Sequence, residues 1–256
     1  MLEVGVWPKI SRIEGHTFFS NLLTGDSIVF DLGANKGGFS YELSRQIGCS
    51  IVAVEPTPDL AVQISLRAEA TVVTAAISTS VGTAAFIVDR GNSEASRMQM
   101  GAQQAHSHET IAVETTTLEA LFQDREYIDL VKMDIEGAEV DVIVAAAEDL
   151  LLRIGQLSIE FHDFDQTSGV TASGVNKVVD KLTKIGFSKL KFSYWTNGDV
   201  LFINRRLMRI GVIRRNFLFI SAVVLPGILR TAYRSYDSAI TKLEGLKLFR
   251  KQNNKL

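Results

Sequence analysis

Residues 28–38 read IVFDLGANKGG. An apolar run closes on Asp31 and opens at once into Gly33, Gly37 and Gly38, set around Ala34, Asn35 and Lys36. A strand that ends on an acid and turns through glycines into a helical pattern is the first unit of a doubly wound α/β sheet, whose ligands lie outside the carboxyl ends of the strands. Gly33 allows a sharp turn, Gly37 allows close approach of ligand and helix, and Asp31 offers an acceptor to a cationic or hydroxylated group. A dinucleotide cradle, G-x-G-x-x-G, fits poorly, because Asn35 stands where its second glycine belongs. The second strand ends in Glu55-Pro56, roughly 20 residues further on, where an acid can take both hydroxyls of a ribose. Ribose recognition without a pyrophosphate cradle points to S-adenosylmethionine.

The same alternation continues outward from this stretch. SIVAVEP (50–56), ATVVTAAI (70–77), YIDLVKMDI (127–135) and QLSIEF (156–161) read as buried strands. Between them GGFSYELSRQIG, PDLAVQISLRAEA, TTTLEALFQDRE and EGAEVDVIVAAAEDLLLRIG carry apolar residues at the helical period. This order predicts a doubly wound, mostly parallel sheet. SKLKFSYW, TNGD and VLFINR then predict an antiparallel edge hairpin, with Asn197-Gly198 as a type I′ turn. RGNSEASRMQMGAQQAHSHET (90–110) is polar and poor in β-branched residues, and reads as a loop or lid near the site.

With 256 residues, 46% of them hydrophobic, the chain can bury a sizeable core. Cys49 is the single cysteine, which excludes an internal disulfide and a cysteine-rich zinc site, and it reads as a small packed apolar side chain. MLEVGVWPKISRIEGH lacks a basic stretch followed by an apolar one, so no secretory signal and a cytoplasmic location are expected. The net charge of −2 hides a division: residues 1–204 hold 27 acidic and 15 basic side chains, residues 205–256 hold 2 and 12. A main domain over 1–204 and a separate basic, partly apolar helical tail over 205–256 are expected. The tail's apolar core, FLFISAVVLPGIL (217–229), is too short for the ~20 residues of a membrane span. Two readings of the tail stay open: a helix packed on the acidic body of its own chain or of a second subunit in a homo-oligomer, or a peripheral helix on anionic lipid. No nucleic-acid reading motif is present.

Taken together, VFDLGANKGGFS (29–40), VEP (54–56), AAISTSVGTAAF (75–86), TTLEAL (116–121), IDLVKMDIEGAEVDVI (128–143) and LSIEFH (157–162) resemble the FkbM-type S-adenosylmethionine-dependent methyltransferases. The resemblance runs from about residue 10 to 204, and IDLVKMDIEGAE is its most specific block. It implies the seven-stranded class I, Rossmann-like methyltransferase fold and methyl transfer to a hydroxyl of a sugar, glycan or natural product. It implies that Asp31, Gly33, Asn35 and Gly37 line the methionine and ribose of the cofactor, that Glu55 holds the ribose, and that Ala76 and Ile77 flank the adenine.

An alcohol must lose its proton as the new bond forms, so a base is needed. Asp134, after the fourth strand, and His162, closing LSIEFH after the fifth, are the catalytic candidates. Asp134, Glu136, Glu160, His162 and Asp163 are also hard donors suited to magnesium, but the spacing does not require a metal and none is assigned. Glu139 and Asp141 have an ordinary reading as solvated helix positions. Two rival classes remain: a dehydrogenase on the same fold, and a non-catalytic protein that keeps the fold and docks a partner or membrane through its tail.

Overall fold

The computed structural model describes residues 9–88, 97–98, 109–165, 167–193 and 195–208. The expected loop or lid over 90–110 and the tail over 205–256 lie largely outside these residues. The chain opens with a hairpin of β1 (Ile10–Ile13) and β2 (His16–Phe19), turned by Glu14 at φ 45° and Gly15 at φ 87°. Two positive φ values between directly paired Ile13 and His16 make the two-residue turn that suits the twist of a hairpin. Two strand–helix units follow: β3 (Ile28–Leu32), α1 (Gly38–Ile47), β4 (Ser50–Val54), α2 (Pro58–Arg67) and β5 (Thr71–Val73).

The middle of the chain departs from the expected pattern. ATVVTAAI is two strands, because the chain leaves β5 and continues as β6 (Ala76–Ile77) in a second sheet. That sheet also holds β7 (Gly82–Val88), β8 (Arg97–Met98) and β9 (Glu109–Thr116), in the order β6-β9-β7-β8. The chain then returns through α3 (Leu118–Phe122), whose first turn is capped by Thr117 accepting from the Ala120 N–H, to β10 (Ile128–Met133). The helical pattern after β10 breaks into α4 (Glu139–Ala145) and α5 (Glu148–Leu151). Ala146 and Ala147 are extended between them, and Lys181 donates to the Val144 and Ala146 carbonyls at the end of α4. Then come β11 (Ile154–Ile159), α6 (Ala172–Ile185), β12 (Phe187–Lys191) and β13 (Val200–Asn204).

The main sheet has seven strands in the order β12-β13-β11-β10-β3-β4-β5. β13 pairs antiparallel with both β11 and β12 and the other neighbouring pairs are parallel, a mostly parallel sheet with an antiparallel edge hairpin as the sequence predicts. The edge hairpin is present without its expected turn: Lys191 pairs with Val200, so residues 192–199 form a longer loop, and neither Asn197 nor Gly198 has a positive φ. Asn197 instead donates from its backbone and its side chain to the two oxygens of Asp163.

Strand alternation divides the core. Val29, Ile51 and Leu130 pack with Phe39 and Leu43 of α1 on one face, while Phe30, Leu32, Val131 and Met133 pack with α3, α4 and α6 on the other. α6 buries Val175, Val178, Leu182 and Ile185, one stripe at helical spacing. The register pairs Asp31 with Lys132 across β3 and β10. Both therefore lie on the α1 face, at the carboxyl end of the sheet. Among the described residues, no helix is long and apolar enough to cross a membrane.

Candidate active site

The loop after β3 is shaped by backbone. The Gly33 and Ala34 N–H groups donate to the Val54 carbonyl at 2.9 and 3.0 Å, fastening the loop to the end of β4. Gly33 has φ +76°, and a Cβ there would stand 1.8 Å from the Asp134 carbonyl oxygen, so no side chain fits where the loop crosses the exit of β10. Asn35 is left-handed as well, at φ 49°. Its N–H donates to Glu55 Oε2 at 2.9 Å, and the Thr57 N–H donates to Glu55 Oε1 at 2.8 Å. Burial pushes the Glu55 carboxyl up, against the pull of the bonds from Thr57 and Asn35. Asn35 Oδ1 is buried and makes no hydrogen bond. An acceptor in that condition is suited to a ligand's hydroxyl or ammonium group.

Three residues expected to line the cofactor are buried. Asp31 is fully buried: Ser40 Oγ donates to its Oδ2 at 2.6 Å, and Lys132 Nζ lies 3.2 Å from its Oδ1. The carboxylate therefore fixes Lys132 and the start of α1, and presents no surface to a ligand. Ala76 and Ile77 are buried in β6, paired with Thr115 and Thr116 of β9. Ile77 belongs to the main core cluster.

Lys132 joins the loop to the rest of the site. Its ammonium donates to the Gly33 carbonyl at 2.6 Å and lies 3.6 Å from Asp134 Oδ2. Burial works against this charge, but Asp31 and then Asp134 outweigh it and hold the ammonium above its usual value. The turn beyond β10 is built around Glu139, whose buried Oε1 accepts from the Ile135 and Gly137 N–H groups at 3.1 Å each. Glu139 is thus a structural anchor of the turn and not a solvated helix position. It holds Glu136 at φ 53°, a strained value for a residue with a side chain, and Gly137 at φ 106°, which glycine adopts freely.

His162 closes this turn. Its Nδ1 donates to Glu139 Oε1 at 3.0 Å, and its Nε2 lies 3.1 Å from Glu136 Oε2 and 3.5 Å from Asp134 Oδ1. Burial opposes its charge, yet the bonds to Glu136 and Glu139 raise its pKa to about 11. The ring is therefore a cation at neutral pH. Both ring nitrogens of the expected general base are thus engaged by carboxylates, and its proton clamps three of them together. Asp134, the other candidate, keeps a quarter of its side chain exposed. Burial would raise its carboxyl, but Lys132 first, then His16 and His162, hold it well below the usual carboxylate range. Glu160 behaves oppositely, pushed up to about 7 by burial and by the charge of Asp134.

His16, Lys132, Ser40 and Glu160 complete the picture, and the first three were not singled out from sequence. His16 is buried on β2 with Nε2 3.5 Å from Asp134 Oδ2. Two buried ties hold its hairpin to the sheet. Asp199 accepts from Thr17 N and Oγ1 at 3.1 and 2.7 Å, and Gln156 exchanges hydrogen bonds with the Phe19 backbone at 2.8 and 3.2 Å. Asp163, in the segment after β11, is engaged by Asn197 of the edge hairpin.

A glycine loop fastened to an acid-tipped second strand thus abuts a cluster of carboxylates and histidines at the ends of β10 and β11. The profile of the methyltransferase FkbM domain matches residues 31–189. The AMB antimetabolite synthetase AmbE of Pseudomonas aeruginosa is 25% identical over 209 residues, covering 65% of this chain and 10% of that protein. The chain therefore spans about a tenth of the length of that relative. Similar solved structures include the bifunctional kinase-methyltransferase WbdD, with a TM-score of 0.41, 11% identity and coverage of 70% of this chain and 35% of that one. An rRNA methylase from Streptococcus thermophilus has a TM-score of 0.41 at 14% identity, covering 72% of this chain and 88% of that one. A TehB-like SAM-dependent methyltransferase from Corynebacterium glutamicum has a TM-score of 0.41 at 12% identity, covering 72% and 86%. The sheet order is that of the class I methyltransferase fold. With the profile running over well more than half of the chain, from Asp31 through the turn beyond β10 to β12, the protein belongs to the FkbM methyltransferase family.

Proposed function

We propose that the protein transfers the methyl group of S-adenosylmethionine to a hydroxyl of a sugar, glycan or natural product. The observation that carries this reading is the contact between loop and cluster through Lys132, which touches Asp31, the Gly33 carbonyl and Asp134 at once. The residues fit the cofactor: Asn35 Oδ1 is a buried acceptor with no protein donor, and Glu55 stands beside it with both oxygens at the tip of β4. When bound, S-adenosylmethionine supplies a methyl group on a sulfonium, ready for in-line displacement.

The chain's own work is then positioning and charge. Asp134, kept ionised, favours a cationic donor nearby and accepts a hydrogen bond from the incoming hydroxyl. A hydroxyl acceptor is supported by the density of carboxylates at this point, because the oxygen must shed its proton to an acceptor as the carbon–oxygen bond forms. His162 already carries a proton, and with Lys132 it balances the cluster's negative charge.

Titration calorimetry with S-adenosylmethionine and with NAD tests the reading, followed by assay of methyl transfer to a panel of hydroxylated acceptors. S-adenosylmethionine should bind and NAD should not. Glu55→Ala should weaken binding roughly 10- to 100-fold, the worth of hydrogen bonds to a charged acceptor. Asp134→Asn should leave cofactor affinity within a few-fold and lower turnover by about two orders of magnitude or more. Absence of S-adenosylmethionine binding overturns the proposal, and binding without turnover on any acceptor favours the non-catalytic alternative.

A further inference from the structure

We propose that His16, Asp134 and Glu160 bind a first-row divalent cation of the manganese or zinc type. The His16 side chain is 1% exposed, and neither of its ring nitrogens makes a hydrogen bond. Burying a polar ring in that condition is costly, so such a group in a native fold calls for a reason. Its Nε2 is aimed at two carboxylates, 3.5 Å from Asp134 Oδ2 and 3.9 Å from Glu160 Oε2. All three donor atoms lie within 4.8 Å of one another.

These separations are those of ligands around one ion. Donors held ~2.1 Å from a metal stand about 3.0 Å apart at a right angle, 3.4 Å at a tetrahedral angle and 4.2 Å when opposed. Charge agrees with distance. Asp31, Asp134, Glu136, Glu139 and Glu160 bring five carboxylates to the site, against the cations Lys132 and His162. A dication fits that surplus. The site is also preorganised, since Asp199 and Gln156 hold β2 against the sheet by four buried hydrogen bonds to Thr17 and Phe19, just after His16. One imidazole nitrogen with two carboxylate oxygens suits manganese or zinc better than calcium or magnesium.

A second trio, Asp134, Glu136 and His162, also brings its donors within 4.8 Å. There the imidazole is already engaged, with Nδ1 on Glu139 and Nε2 on Glu136. The His16 ring, by contrast, makes no hydrogen bond through either nitrogen. Any use of the ion in methyl transfer rests on the function proposed above, whereas its binding does not.

The test uses the full chain in metal-free buffer without S-adenosylmethionine, titrated with MnCl2 while the electron paramagnetic resonance signal of free manganese is followed. ZnCl2 and MgCl2 serve as competitors. One manganese per chain is expected, displaced by zinc far more readily than by magnesium. His16→Gln and Glu160→Gln should each weaken binding on the order of tenfold or more, and Glu136→Gln should not. Glu160→Gln guards against His16→Gln failing to fold, which circular dichroism reports. No manganese binding by the native chain, binding that survives Glu160→Gln, or binding lost only in Glu136→Gln overturns the proposal.

Discussion

The loop after β3 and the cluster beyond β10 and β11 adjoin, yet they are made of different material. The loop is backbone: amides of Gly33 and Ala34 on the Val54 carbonyl, amides of Asn35 and Thr57 on Glu55, and left-handed turns at Gly33, Asn35 and Gly37. Apart from the Lys132 ammonium on the Gly33 carbonyl, these contacts lie within one strand–helix–strand unit. The cluster is side chain: His16 from β2, Asp134 and Glu136 after β10, Glu139 from α4, Glu160 and His162 after β11. Its geometry depends on contacts that close only when distant elements have docked. The loop should therefore be robust to loss of remote supports, and the cluster should not.

Lys132 belongs to both regions, so its removal should have the largest effect. Lys132→Met leaves Asp31 as a buried, uncompensated carboxylate and frees the Gly33 carbonyl, which should cost about 3–5 kcal/mol. Urea unfolding measures this, and adding Asp31→Asn should recover most of the loss. A single variant as stable as the native chain would mean that the two regions are not joined through this pair.

A smaller effect should separate the regions. Asp199→Ala removes the acceptor of the Thr17 N–H and hydroxyl, far from the glycine loop, and should cost about 2–3 kcal/mol through the unpaired groups it leaves. Arg12, largely exposed, adds little to that figure. Amide hydrogen exchange gives the sharper reading: Thr17 and Phe19 should exchange faster, while Gly33, Ala34 and Asn35 keep their protection. Equal acceleration in both places would erase the contrast.

The same contrast explains what the sequence makes legible. The sheet and its order follow from local alternation of period, and the loop from glycines next to a strand end. His16 carries no such signal, because nothing in ISRIEGHTFF sets its distance from Asp134. The hairpin that delivers it turns on Glu14-Gly15, a weak turn pair, whereas Asn197-Gly198, the favoured pair, is drawn off by Asp163. Asp31 reads as a ligand acceptor because it ends a strand, and only the register with β10 reveals Lys132 opposite. A hint was present: a lysine inside the apolar run YIDLVKMDI must be paired if it is buried. His162 reads as a base by residue type. Its role as a clamp depends on Glu139, whose inward aim is set by the Ile135–Gly137 turn and not by helical spacing.

The smallest effect belongs to the loop and shows as a slope against pH. Burial raises the Glu55 carboxyl above its ordinary value of 4.5, so the folded chain holds this proton more tightly than the unfolded chain. As pH rises past 4.5 the unfolded chain releases it first, and stability from this group falls until the raised folded value is passed. The contribution is fully present below the unfolded pKa and absent above the folded one. Glu55→Gln removes the titration while its amide oxygen still accepts from one backbone N–H. The stability of the native chain minus that of Glu55→Gln should therefore decline over the acid range and level off toward neutral pH. Urea unfolding of both proteins at several pH values from about 4 to about 7 measures it. A difference that stays flat would mean that the Thr57 and Asn35 amides fully offset the burial of the carboxylate. A difference that grows with pH would mean that they outweigh it, and that the loop, like the cluster, is organised around a charge.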